Sequence, residues 1–157
     1  MCIRDSGSFL MMHSELLTSL QEGYKINIIL LNNHGYQCIK GLQMANGSKG
    51  FGNEFRYRSE NTKRLDGHTI PVDFVSYAKS LGAESYYAKD VTELKQALQK
   101  TKQATVSTLI EIPVAPDSMS KGYESWWRVG VPEISSEPAV TKAHQHMKEK
   151  IKLAKTY

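Results

Sequence analysis

The run at 26–31, Ile-Asn-Ile-Ile-Leu-Leu, most narrows what this chain can fold into. It is almost continuously apolar, as suits a parallel strand covered on both faces. Gly23 precedes it, at a place where a helix ending in a left-handed residue is expected. Upstream, Gly7 permits a tight turn and Ser8 is a good N-cap, so a helix can open there. Phe9, Met12, Leu16 and Leu20 recur at helical spacing along it, with Ser14, Glu15, Thr18, Gln21 and Glu22 off that stripe. The unit therefore brings a helix N-terminus and a strand C-terminus to one sheet edge. Open α/β sheets bind ligands at that edge, and free amides at a helix start favour phosphate.

Regular structure returns after Pro71. Asp73 can cap a helix whose apolar stripe is Phe74, Tyr77, Ala78 and Leu81, and Gly82 ends it. The segment 84–88 reads as a short strand. Asp90 and Glu93 have the spacing of a capping box for a helix to about Lys100, burying Leu94, Ala97 and Leu98. The β-branched stretch 105–114 reads as a further strand, closed by Pro113 and Pro116. Alternating strand and helix predicts an α/β fold: a parallel sheet with helices on both faces and right-handed crossovers. Three strands are expected, near 26–31, 84–88 and 105–113.

The segment 37–70 shows no sustained period and is dense in glycine and asparagine, which reads as a long functional loop or interface segment. Its centre alternates Arg56 and Arg58 with Phe55 and Tyr57. An active-site wall for an oxygen-rich substrate and an arginine pair at a subunit contact fit that pattern equally. From Asp117 a tail follows, with adjacent Trp126 and Trp127, at least one of which is expected to pack on another surface. A final helix is expected from Glu137, with Val140, Ala143, Met147, Ile151 and Ala154 on one stripe. His144 and His146, two apart, point to different sides of that helix and do not suit a metal site.

At 157 residues the chain can bury a real core. Its net charge of +4 is modest and its basic residues are scattered outside the last helix, which argues against a nucleic-acid partner. No apolar run approaches the ~20 residues of a membrane span, and no signal peptide is read at the start. The opening hexapeptide, Met1 to Ser6, lacks an apolar period and is read as a non-native segment, 1–6, outside the fold. With Cys2 discounted, Cys38 remains alone, which excludes an internal disulfide framework and fits a reducing cytoplasm.

Gly7-Ser8-Phe9, followed downstream by Asn32-Asn33-His34-Gly35-Tyr36, resembles the paired motifs of enzymes that use thiamine diphosphate. The resemblance is to their C-terminal, diphosphate-binding domain and covers nearly all of the chain from Gly7. It implies a thiamine diphosphate-binding fold over 7–116 with a C-terminal helical tail over 117–157. It also implies cofactor contacts at Gly7, Ser8, Phe9, Asn33, Gly35, Tyr36 and Cys38. Magnesium would take the Asn33 side chain and the Gly35 carbonyl, hard oxygen ligands that suit an ion shared with phosphates. A third ligand in the family, an aspartate, falls at Ser6, and Asp5 lies one residue out of register.

Two further groups of residues narrow the resemblance. The stretch from Phe9 to Leu16 with Glu54 to Arg58, and the stretch from Gly122 to Trp127, are similar to those of hydrolases that open a cyclic 1,2-diketone in inositol catabolism. The resemblance then implies C–C bond cleavage with the cofactor as electron sink. It further implies a cytoplasmic homo-oligomer whose activating glutamate lies on a domain outside this chain. No catalytic residue is assigned here, and the chain alone is expected to be inactive. The alternatives are an acetolactate-synthase-like lyase or decarboxylase and, since Ser6 removes a charged ligand, a non-catalytic phosphate-binding or interaction module.

Overall fold

The computed structural model describes residues 1–118 and 129–154. Within them, β1 (Cys2–Asp5), β2 (Asn27–Asn32), β3 (Glu84–Tyr87) and β4 (Thr108–Pro113) form one sheet in the order β1-β2-β4-β3, with every pairing parallel. The helices are α1 (Ser6–Met11), α2 (Glu15–Gln21), α3 (Gln37–Ala45), α4 (Phe74–Ser80), α5 (Val91–Gln103) and α6 (Pro138–Leu153). Two compact units result. The first joins 1–37 to 54–118 and holds the sheet; the second contains 38–53 together with the described tail.

The sheet is covered on both faces, as the apolar run in β2 requires. On one face Ile28, Leu30 and Leu109 pack with Phe9, Leu16, Phe74 and Ala78 from α1, α2 and α4. The next residue of β4, Ile110, turns to the other face and meets Ala88 and Ala97 of the α5 side. Leu30, Leu109 and Ile110 are fully buried, each contributing about 1.5–3 kcal/mol by removal from water. Both expected helix caps after Pro71 form. Asp73 Oδ1 accepts the Ser76 amide at 2.8 Å, and Asp90 Oδ1 accepts the Glu93 amide at 2.8 Å. The Glu93 carboxylate reaches back to the Lys89 amide at 3.0 Å, one residue before the cap. Gly82, at φ +100°, follows the end of α4 in the conformation that glycine alone adopts without strain.

Three expectations are corrected. The opening hexapeptide does not lie outside the fold, because Cys2–Asp5 pairs with 28–31 as an edge strand, giving four strands where three were expected. Arg4 and exposed Ile3 carry no recognisable period because an edge strand is covered on fewer sides. The first helix is not continuous and Ser8 is not its cap. Asp5 caps α1 by accepting the Ser8 amide at 3.2 Å, and the chain breaks between α1 and α2. The break turns Met12, which shares the Phe9–Leu16 stripe in sequence, out to 66% exposure, and the His13 ring bonds the Leu10 carbonyl at 2.9 Å. Residues 37–45, read as irregular, form α3. Gly41 inside it masked the period, whereas Ile39 and Leu42 and the Asn46-Gly47 stop were the signal. Gly47 sits at φ +84°, and the Asn46 side chain donates to the Leu42 carbonyl at 2.8 Å.

In the second unit, Gly47 lies so close to Ala139 that a Cβ would come within 2.6 Å of its carbonyl carbon. Lys49 pairs with Glu137 at 2.8 Å, and the His144 ring bonds the Val131 carbonyl at 2.9 Å. The α6 stripe is only partly covered: Val140 is buried, Ala143 and Met147 are half-buried and Ile151 is exposed. Trp126 and Trp127, with the stretch from Gly122, lie outside the described residues.

Candidate functional site

Because all four strands run parallel, β1 and β2 end together, and the chain turns from β1 directly into α1. Asp5 pairs with Leu31 in register, so Ser6 emerges beside the Asn33–Gly35 turn. Ser6 is fully buried. Its hydroxyl lies 2.9 Å from Asn33 Oδ1 and 3.5 Å from the Gly35 carbonyl, and its oxygen accepts the Gly35 amide at 3.1 Å. The Gly7 amide donates to the Gly35 carbonyl at 3.1 Å. Ser6, Gly7, Asn33 and Gly35 thus meet at one point of the sheet edge.

Gly7 is needed there for space. A Cβ on it would stand 2.6 Å from Tyr36 Cδ1 and 2.7 Å from the Gly35 oxygen. Tyr36 in turn stacks edge-on against Phe55, with centroids 5.8 Å apart. The segment around Phe55 runs back along the turn, its amide donating to the His34 carbonyl at 2.9 Å, while Glu54 bridges to Gly35. Its arginines serve their own loop. Arg56 donates to the Gly67 carbonyl at 3.1 Å and pairs with Glu54 at 3.3 Å, and Arg58 donates to the Lys63 carbonyl.

Beneath the turn lies a buried polar pair. The Asn32 amide nitrogen donates to Glu111 Oε1 at 2.7 Å, and Asn32 Oδ1 accepts the His34 amide at 3.1 Å. His34 holds φ +56°, a conformation uncommon for a residue with a Cβ. Burial pushes the Glu111 carboxyl above its ordinary range; the Asn32 hydrogen bond opposes that, nearby Asp73 adds to it, and the Val75 amide and His34 lower it. The Gln37 side chain donates to the Asn33 carbonyl at 3.1 Å. Sequence reasoning missed both Glu111 and Asn32. A glutamate inside the apolar run of β4 was the available signal for the first.

The remaining expected cofactor residues separate. Ser8 is exposed at the start of α1, and Phe9 is buried, its ring meeting Phe74 edge-on at 5.8 Å in the core. Cys38 is exposed and belongs to the second unit. Among the described residues no cluster of three His, Cys, Asp or Glu side chains could hold a metal.

A family model described as "Thiamine pyrophosphate enzyme, C-terminal TPP binding domain" matches residues 1–112. The chain belongs to this family. The chain is 48% identical over 155 residues to the 3D-(3,5/4)-trihydroxycyclohexane-1,2-dione hydrolase of Clostridium botulinum (strain Eklund 17B / Type B). The match covers 99% of the chain and 24% of that relative. A similar hydrolase, numbered 2, of Bacillus cereus is 47% identical over 151 residues, covering 96% of the chain and 23% of the relative. The chain thus spans about a quarter of the length of these relatives. Among solved structures, a thiamine diphosphate-dependent 4-hydroxybenzoylformate decarboxylase of Rhodococcus jostii RHA1 matches with a TM-score of 0.55 at 23% identity, covering 74% of this chain and 20% of that one. Benzoylformate decarboxylase of Polynucleobacter necessarius matches with a TM-score of 0.58 at 19% identity, covering 72% and 19%. These two share the fold.

Two unpartnered buried polar atoms at the Asn33–Gly35 turn and the start of α3 suit a polar group such as a diphosphate. Gly7 lets Tyr36 and the Gly35 carbonyl close on the start of α1, and His34 Nδ1 and Gln37 Oε1 are buried polar atoms with no protein partner. For magnesium the oxygens of Asn33 and Gly35 are hard donors, but with Ser6 they make a neutral set. The fit to a divalent cation lacks its charged ligand.

Proposed function

We propose that this domain is the diphosphate-binding part of a thiamine diphosphate-dependent hydrolase that opens the ring of trihydroxycyclohexane-1,2-dione in inositol catabolism. The observation that carries the reading is the 48% identity along 99% of the chain with a relative of that name. When bound, the cofactor would supply a nucleophilic thiazolium carbon and an electron sink for C–C bond cleavage. This chain's part is to hold the diphosphate. Gly7 lets the start of α1 close on Gly35, and Asn33 Oδ1 and the Gly35 carbonyl offer oxygens to magnesium at a place where Ser6 stands for the aspartate of the family. Ser8 and the backbone of Phe9 border the diphosphate, Tyr36 packs over Gly7, and Cys38 follows the turn.

No glutamate of the chain is assigned to activation of the cofactor, and Glu15 and Glu22 are exposed beside α2. Further domains of the parent enzyme, in a cytoplasmic homo-oligomer, supply that group, and the domain alone is inactive. In the first six residues, Ser6 and Asp5 replace a native glycine-aspartate turn.

Assay of the intact parent enzyme with the cyclic diketone and with pyruvate tests the substrate. Turnover of the diketone with thiamine diphosphate and magnesium is expected. Turnover of pyruvate alone would assign the chain to an acetolactate-synthase-like lyase or decarboxylase instead.

A further inference from the structure

We propose that Glu111 and Asn32 act as a positioning pair that fixes the Asn33–Gly35 turn, and thereby the two oxygens it presents. The inference rests on the cofactor reading for its purpose, while its geometry stands apart from it. An amide side chain can face either way, and at Asn32 both ends are specified. The Glu111 carboxylate offers only acceptors, so the Asn32 nitrogen must face it, at 2.7 Å. The Asn32 oxygen is then left for the His34 amide, at 3.1 Å. That bond falls on the residue with φ +56°, where a backbone carrying a side chain needs outside support.

The pair is buried, with Asn32 3% and Glu111 6% exposed, so neither group can exchange its partner for water at little cost. The observed partner of the Glu111 carboxylate is the Asn32 nitrogen, so the pair's geometry rests on that one bond across two parallel strands. Direction thus passes from Glu111 through Asn32 to His34, and the neighbouring Gly35 amide bonds Ser6 Oγ. Neither Glu111 nor Asn32 needs to touch a ligand for this. They are positioning residues.

The test is amide hydrogen exchange on the 157-residue chain, comparing His34 and Gly35 with Leu30 and Leu109 in the core strands. Asn32→Asp sets two carboxylates against each other and is expected to speed exchange at His34 and Gly35 about tenfold more than at Leu30. Combining Asn32→Asp with Glu111→Gln reverses donor and acceptor and should bring both amides back to within about threefold of the unaltered chain. Glu111→Met, similar in length but without an acceptor, should loosen His34 selectively even if Asn32→Asp does not fold. Equal acceleration at His34 and the core strands, or no rescue in the double variant, would overturn the proposal. The expected exchange pattern would leave the pair standing even if the Ser6→Asp chain bound no thiamine diphosphate, a result that would remove only the cofactor reading.

Discussion

Ser6 Oγ lies 2.9 Å from Asn33 Oδ1, though 27 positions separate them in the chain. Ser6 follows the first parallel strand as the first residue of α1, and Asn33 follows the second. Pairing of β1 with β2 is what brings them together. In the proposed magnesium site a hydroxyl stands where the family's aspartate is expected, so its chemistry is open to test by substitution.

Ser6→Asp is expected to lower the melting temperature of the metal-free chain, because a buried carboxylate would face Asn33 Oδ1 and the Gly35 carbonyl. Magnesium with thiamine diphosphate should reverse that loss. Asp5→Gly in the same chain should strengthen binding further, since Asp5 now occupies the Ser8 amide, a donor that a diphosphate could use. Calorimetric titration checks both steps. Equal affinity before and after the changes would show that the site does not work through position 6.

Gly7→Ala is expected to destabilise the domain by about 1–3 kcal/mol through overpacking. The added methyl would meet the Gly35 oxygen at 2.7 Å, and backbone cannot swing aside as a long side chain can. Urea unfolding measures the loss. A variant as stable as the parent would mean that Tyr36 and the turn move apart freely.

Phe9→Ala is expected to cost about 3–5 kcal/mol. Phe9 is 4% exposed and meets both Phe74 and Tyr77 edge-on, tying α1 to α4. Its side chain acts on the core, so a stability loss in chemical denaturation is expected with or without the cofactor.

Glu111 makes stability depend on pH in a defined direction. Its folded pKa is raised by burial above the unfolded value, so the folded chain holds this proton more tightly than the unfolded one. The resulting stability is fully present below the unfolded carboxylate range, at about pH 4.3. It is lost as pH rises through the folded value. Subtracting the unfolding free energy of Glu111→Gln from that of the parent should give a difference that falls with rising pH over this window. A difference that rises would show that the Asn32 and Val75 hydrogen bonds outweigh burial.

The sequence by itself determined the central parallel strand, the α4 and α5 caps at Asp73 and Asp90, and the membership of Asn33 and Gly35 in one turn. Each depends on chemistry within a few residues: apolar faces, a short acceptor side chain before a helix, a glycine past its end. Tertiary structure decided the rest. Residues 2–5 become a strand only because β2 offers an unpaired edge, and no period in four residues could announce it. The apolar stripe from Phe9 to Leu20 looked continuous, yet the chain breaks at Met12 once Phe9 and Leu16 have filled the core against Phe74. Nothing within its own strand marks out a partner for Glu111 before the fold lays it beside Asn32. Its role follows from a pairing across 79 positions, and local propensity carries no information about a partner that distant.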